Sequence, residues 1–225
     1  MLTRRHIRIK VMQSVYSFTL SKEKKVEDEI AFFKESVAKT FDLYLLILGL
    51  LKAIKQYVDN QLIAYNKHQI IKDEKYLKLK YLSENRFLDF INNHSILQKH
   101  LKNKIFIRWD LEFVFMKDLV EEMISKKVFE TYLNDKKPSE KDDLQWLIKS
   151  FKNSIAPSSY LYDYLEDHNL TWIDDLPVVN TFILKTLKQL DLNNPQSLKF
   201  PKLIENTDDL QFGIELLEKA ITKEE

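Results

Sequence analysis

Apolar residues recur along this chain at helical spacing, and the first such stretch covers residues 1–20. Thr3 is placed to N-cap a helix that meets no glycine or proline before Leu20. At about 100° per residue, Ile7, Val11, Val15 and Phe18 fall on one stripe, which Met12, Tyr16 and Leu20 widen into a broad apolar face. Such a face predicts burial. A second pattern covers residues 26–66, as one helix or as two that break near 36–40. Its centre, residues 41–57, is apolar on nearly every side and is the expected partner of Val11, Val15 and Phe18. Gly49 within it predicts a close helix crossing.

The later patterns are shorter. Residues 66–83 read as a charged connection, either a solvated linker or a partly ordered surface helix, 86–102 and 111–126 as amphipathic helices, 128–133 as a continuation of the apolar pattern, and 134–138 as a surface loop. Ser139 is placed to cap a helix over 140–154, with Asp142 and Asp143 in its first turn, where the helix dipole favours acids. Pro157 opens a helix over 160–167, and Pro177 suits the first turn of one that runs to Leu190, with Asp174 and Asp175 ahead of it as caps. A proline-bounded loop at 193–201 precedes a last helix over 210–222. No internal repeat emerges.

Composition agrees with this reading. Two glycines and five prolines in 225 residues leave little material for tight turns, so the predicted fold is all-α, a helical bundle with long helices. The expected organisation is a single helical region, 1–225: a first helix at 1–20, a helical body at 21–190, and a loop and last helix at 191–225. The absence of cysteine excludes disulfides and thiolate chemistry. The longest apolar run, 43–51, is far shorter than the roughly 20 residues that span a bilayer. Arg8, Lys10, Gln13 and Ser14 interrupt any signal-peptide core near the N-terminus. The expectation is a cytoplasmic protein with no membrane partner.

Charge changes the picture of the first helix. The formal net charge of +1 does not advertise a polyanion binder, so any such site must be local. Arg4, Arg5, His6, Arg8 and Lys10 precede the first acid, Glu23, and they sit where the helix dipole disfavours cations. Arg4 and Arg8 continue the apolar side of the wheel, which predicts that the first two turns project past the packed body into solvent. Arginine suits phosphate because its planar fork donates two parallel hydrogen bonds. The plainer reading is a solvated basic N-terminus.

Arg4-Arg5-His6-Ile7-Arg8, then Gln13, then Val15-Tyr16-Ser17-Phe18, resembles the arginine-rich first helix of the NusB transcription antitermination family. His6 replaces a frequent third arginine of that pattern, and Ile9 stands where an acid is usual. Phe41-Asp42-Leu43-Tyr44, Glu84-Asn85-Arg86-Phe87, and Trp172-Ile173-Asp174-Asp175 through Thr186 are similar to a longer form of the family, in which a helical insertion follows the arginine helix. The resemblance implies a non-catalytic adaptor that binds boxA-type single-stranded RNA together with NusE, a small-subunit ribosomal protein, on the elongating RNA polymerase. It implies RNA contacts from Arg4, Arg5 and Arg8, a weaker one from Lys10, a base-edge bond from Gln13, and stacking or packing by Tyr16. It also implies a further C-terminal helical half, which this chain is expected to lack, leaving apolar surface open to self-association.

Other chemistry finds little support. Two glycines cannot form a phosphate-cradling loop, the five histidines show no metal-ligand spacing, and no nucleophile elbow occurs, so neither an enzyme nor a cofactor is expected. Lys99, His100, Lys102, Lys104 and Arg108 alternate with Ile105, Phe106, Ile107 and Trp109, which reads as a single-strand stacking platform or as an exposed cationic face over buried aromatics. The competing functional class is a helical protein-interaction scaffold whose basic end meets an acidic partner.

Overall fold

The computed structural model describes residues 1–225 except 22–24, 69–70, 105–107, 134–137, 205 and 223–225. The fold is an all-α helical bundle. Its helices are α1 (Arg4–Leu20), α2 (Val26–Lys67), α3 (Glu74–Ser83), α4 (Arg86–Asn93), α5 (Ser95–Lys102), α6 (Phe113–Ser125), α7 (Lys127–Leu133), α8 (Glu140–Ser150), α9 (Ser159–His168), α10 (Thr171–Lys188) and α11 (Thr207–Ile221). A π-helical turn, Phe151–Ile155, prolongs α8. Among the described residues none of these helices is long and apolar enough to cross a membrane.

Caps explain several of the helix starts. Asp73, Asn85, Ser139 and Asn206 each accept backbone N–H groups from the first turn that follows, which satisfies donors the helix leaves open. The expected cap at Ser139 forms a capping box with Asp142. The possible break at 36–40 does not occur, and α2 is one helix about 60 Å long at 1.5 Å rise per residue. Ser36 donates its hydroxyl back to the Phe33 carbonyl at 2.8 Å, and Thr40 donates its own to the carboxylate of Asp175 at 2.7 Å, so both buried hydroxyls are satisfied without interrupting the helix. α10 begins earlier than Pro177 suggested. The proline lies inside the helix, and Asp174 and Asp175 lie within the helix too rather than capping it.

The chain divides into two compact units. One comprises Met1–Tyr44, Asn169–Phe182 and Phe200–Glu225; the other comprises Leu45–His168 and Ile183–Lys199. The expected boundaries at 20 and 190 are not those drawn by packing, because the first helix shares its core with residues from the end of the chain. In the first unit, Leu2, Ile7 and Val11 meet Phe33 and Val37 of α2 and Leu217 and Ile221 of α11. The partners of α1 are therefore the early turns of α2 and the last helix, not residues 41–57. The close approach falls at Gly213, where a Cβ atom would lie 2.5 Å from Phe33 Cζ and 2.7 Å from Ile7 Cγ2. A side chain there would force two packed core residues apart.

The N-terminus is tied down as well. The Met1 ammonium donates to the Lys202 carbonyl at 2.6 Å, and Leu2 N–H donates to the Leu203 carbonyl at 2.8 Å within an isolated parallel bridge to Ile204. α1 is thus held at its start and does not stand out as a free lever. Its apolar stripe is covered from within the chain.

The second unit is built on aromatic packing. Trp109 is buried, donates from Nε1 to the Leu46 carbonyl, and stacks on Phe115 and Tyr164 at ring separations of 5.4 and 4.7 Å. Tyr132 stacks on Trp146 at 5.5 Å, and Phe129 meets both rings edge-on. Of the anticipated basic and aromatic platform, Trp109 is core, Arg108 pairs with Asp110 at 3.1 Å, and Ile105, Phe106 and Ile107 lie outside the described residues.

Candidate nucleic-acid interface

The inner arc of α1 carries Ile7, Lys10, Val11 and Ser14, all buried. A lysine on that arc needs a partner, since an unpaired buried charge is costly. Asp175 of α10 supplies it: its Oδ2 accepts from Lys10 Nζ at 2.8 Å and from Thr40 Oγ1 at 2.7 Å. Lys10 is only 2% exposed, so it belongs to the core and presents nothing to a phosphate. Burial pushes the Asp175 carboxyl upward, against the opposing pull of Lys10 and the hydrogen bonds from Lys10 and Thr40. Gln13, one position along the rim, donates from Nε2 to Asp174 Oδ2. Its amide nitrogen is already engaged.

Burying Lys10 turns the opposite arc outward. Arg5, Arg8, Met12 and Tyr16 share that arc, and Leu20 extends it by one turn. Met12, Tyr16 and Leu20 are exposed by 65%, 65% and 68%, although the sequence pattern assigned them to the buried face. The apolar stripe is therefore narrower than expected. What lies on the surface is a row of Arg8, Met12, Tyr16 and Leu20 spaced four residues apart, about 6 Å along the axis per step.

α11 supplies two neighbours that the sequence did not bring to notice. The guanidiniums of Arg4 and Arg8 lie over the ring of Phe212 at 5.3 and 5.5 Å from its centroid, within cation–π range. Arg4 also donates from Nε to Asp209 Oδ1 at 2.6 Å. Asp209 reads from sequence only as an acid in a first helical turn, and Phe212 only as an apolar position. No local signal joins them to residues two hundred positions earlier. Arg5 and Arg8 form no ion pair among the described residues.

The first turn of α1 is closed by its own side chains. Thr3 N–H donates to His6 Nδ1 at 3.1 Å, and Thr3 Oγ1 lies 2.9 Å from the same nitrogen. The imidazole does here what a glutamate or glutamine usually does in a capping box. No group of three histidine, cysteine or carboxylate side chains suited to a metal occurs among the described residues.

The fold and this surface together define an all-α protein with a cationic, aromatic-bearing helix face. No family model, no curated protein and no solved structure matches the chain.

Proposed function

We propose that the outer face of α1 binds single-stranded RNA, and that the protein is a non-catalytic adaptor of transcription antitermination that holds boxA-type RNA together with NusE. The observation that carries this reading is the exposure of Arg5 and Arg8 on the same helix face as Tyr16, which lies about two to three turns further along, with no carboxylate paired to either arginine among the described residues. Arg5 and Arg8 contact phosphates, and Arg4 does so when it exchanges Asp209 for a phosphate oxygen. Tyr16 offers a ring for an unpaired base, worth about 1–3 kcal/mol per stacked base. Gln13 reaches a base edge through its carbonyl oxygen. Lys10 is left out of the contact set because it is buried against Asp175.

The test is binding of a labelled boxA-like strand and a scrambled strand of equal length across a salt series, with and without NusE. Preference for the boxA-like strand that strengthens with NusE supports the reading, and each phosphate contact adds about −0.7 to the log–log salt slope. Arg5→Glu or Arg8→Glu weakens binding and flattens that slope while helicity stays unchanged. Equal binding to both strands would reduce the site to a generic cationic face.

A second reading draws on the exposed row of Met12, Tyr16 and Leu20, which is apolar and would equally suit a protein partner. On that reading α1 is a docking helix of an interaction scaffold. Its complex would be weakened by Met12→Ser and Tyr16→Ser and would respond little to salt.

A further inference from the structure

We infer that His6 is an acid-sensitive latch on the arginine helix: its neutral ring holds the first turn of α1 closed, and protonation at Nδ1 releases it. A backbone N–H is only ever a donor, so the 3.1 Å contact from Thr3 N–H requires a lone pair on His6 Nδ1. The Thr3 hydroxyl, 2.9 Å from the same nitrogen, then donates as well. The ring proton must therefore sit on Nε2. When Nδ1 takes up a proton, its lone pair is lost and the Thr3 amide, an obligate donor, is left facing an N–H. The Thr3 amide loses its acceptor, while the Thr3 hydroxyl, which can accept as well as donate, turns to take the new N–H.

The surroundings favour the neutral ring. The charged groups that face His6 are Asp175 from α10, Arg5 and Lys10 from α1 itself, and the N-terminal ammonium. Burial lowers the ring's pKa first, the three cations lower it further, and only Asp175 opposes them. A pKa depressed below its unfolded value contributes stability that is fully present above about 6.5 and lost as pH falls through the folded value. The latch is closed at neutral pH and opens in mild acid. It lies beside the segment tied to residues 202–204 and next to Arg4 and Arg5, so opening it loosens the first turn of the arginine helix while the ties of Met1, Leu2 and Arg4 remain. This inference does not depend on what the arginines bind.

Nitrogen-15 NMR of the full chain tests it without any ligand. Near neutral pH, the His6 ring shows Nδ1 unprotonated and Nε2 protonated. Below the ring's pKa, the protection of the Thr3 amide against hydrogen exchange falls about tenfold per pH unit, while the protection of Val11 in the same helix is unchanged. His6→Gln supplies an acceptor that does not titrate, so Thr3 protection becomes flat across the same range. His6→Ala leaves the amide unprotected throughout. A Nδ1-protonated tautomer at neutral pH overturns the inference, and so does Thr3 protection that is independent of pH in the native chain. If the variants fold poorly, the native tautomer and exchange data decide alone.

Discussion

Asp175 in one unit and Asp143 in the other are both buried carboxylates that accept from a cation and a hydroxyl, yet they are partnered differently. Asp175 takes Lys10 and Thr40 on a single oxygen, and the lysine is as buried as the acid. Asp143 takes the Tyr132 hydroxyl on Oδ1 at 2.7 Å and the Arg86 Nε and backbone N–H on Oδ2, while the Arg86 side chain stays 44% exposed. Burial and the bond to Asp143 both push the Tyr132 phenol upward, so Tyr132 remains a donor at any working pH. Asn85 completes the second network: Nδ2 donates to the Asp143 carbonyl, and Oδ1 caps α4. The first centre confines both charges. The second lets its cation reach solvent and spreads its load over neutral donors. Buried pairs are costly to break, whereas half-exposed pairs are screened.

Variants should separate the two centres by size of effect. Lys10→Met leaves Asp175 buried without its cation and is expected to cost about 3–5 kcal/mol in denaturant unfolding. Pairing it with Asp175→Leu should restore most of that loss, and a double variant as unstable as the single one would contradict the assignment of Lys10 to the core. Asp143→Asn keeps the shape but removes the charge from three hydrogen bonds, for about 2 kcal/mol in the same measurement. Arg86→Gln should be the mildest, about 1–2 kcal/mol, because the buried Asp143 keeps the Tyr132 hydroxyl and the backbone N–H of residue 86 as donors. A cost for Arg86→Gln equal to that of Lys10→Met would erase the distinction between the centres.

Much of the helical architecture was legible in the sequence. The cap at Ser139, the long helix from Val26 and the amphipathic stretches around Phe113 and Leu217 follow from local side-chain chemistry and a 3.6-residue period. The exposed arginines were legible too, since Arg5 and Arg8 stand against the helix dipole with no nearby acid. The partners of α1 were not. Residues 41–57 were the most apolar stretch and so the natural choice, but the contact was made by Phe33, Val37, Leu217 and Ile221. Apolar content measures how much a segment must bury and says nothing about which segment covers it. Gly213 carries the close crossing for the same reason: its role depends on the ring of Phe33 and the methyl of Ile7, which no window around it contains.

By itself the sequence determined that the chain folds into helices, where several of them begin, and that a cationic helix opens it. Only the tertiary structure decided which arc of that helix faces out. Periodicity ranks positions around a helix by polarity, and on that ranking Lys10 belongs outside and Tyr16 inside. The ranking inverts because Asp175, 165 residues away, gives Lys10 a buried partner, and because the close crossing at Gly213 draws the Ile7 side of α1 inward. A helix carries its own pattern, but the direction of burial is set by where its neighbours stand.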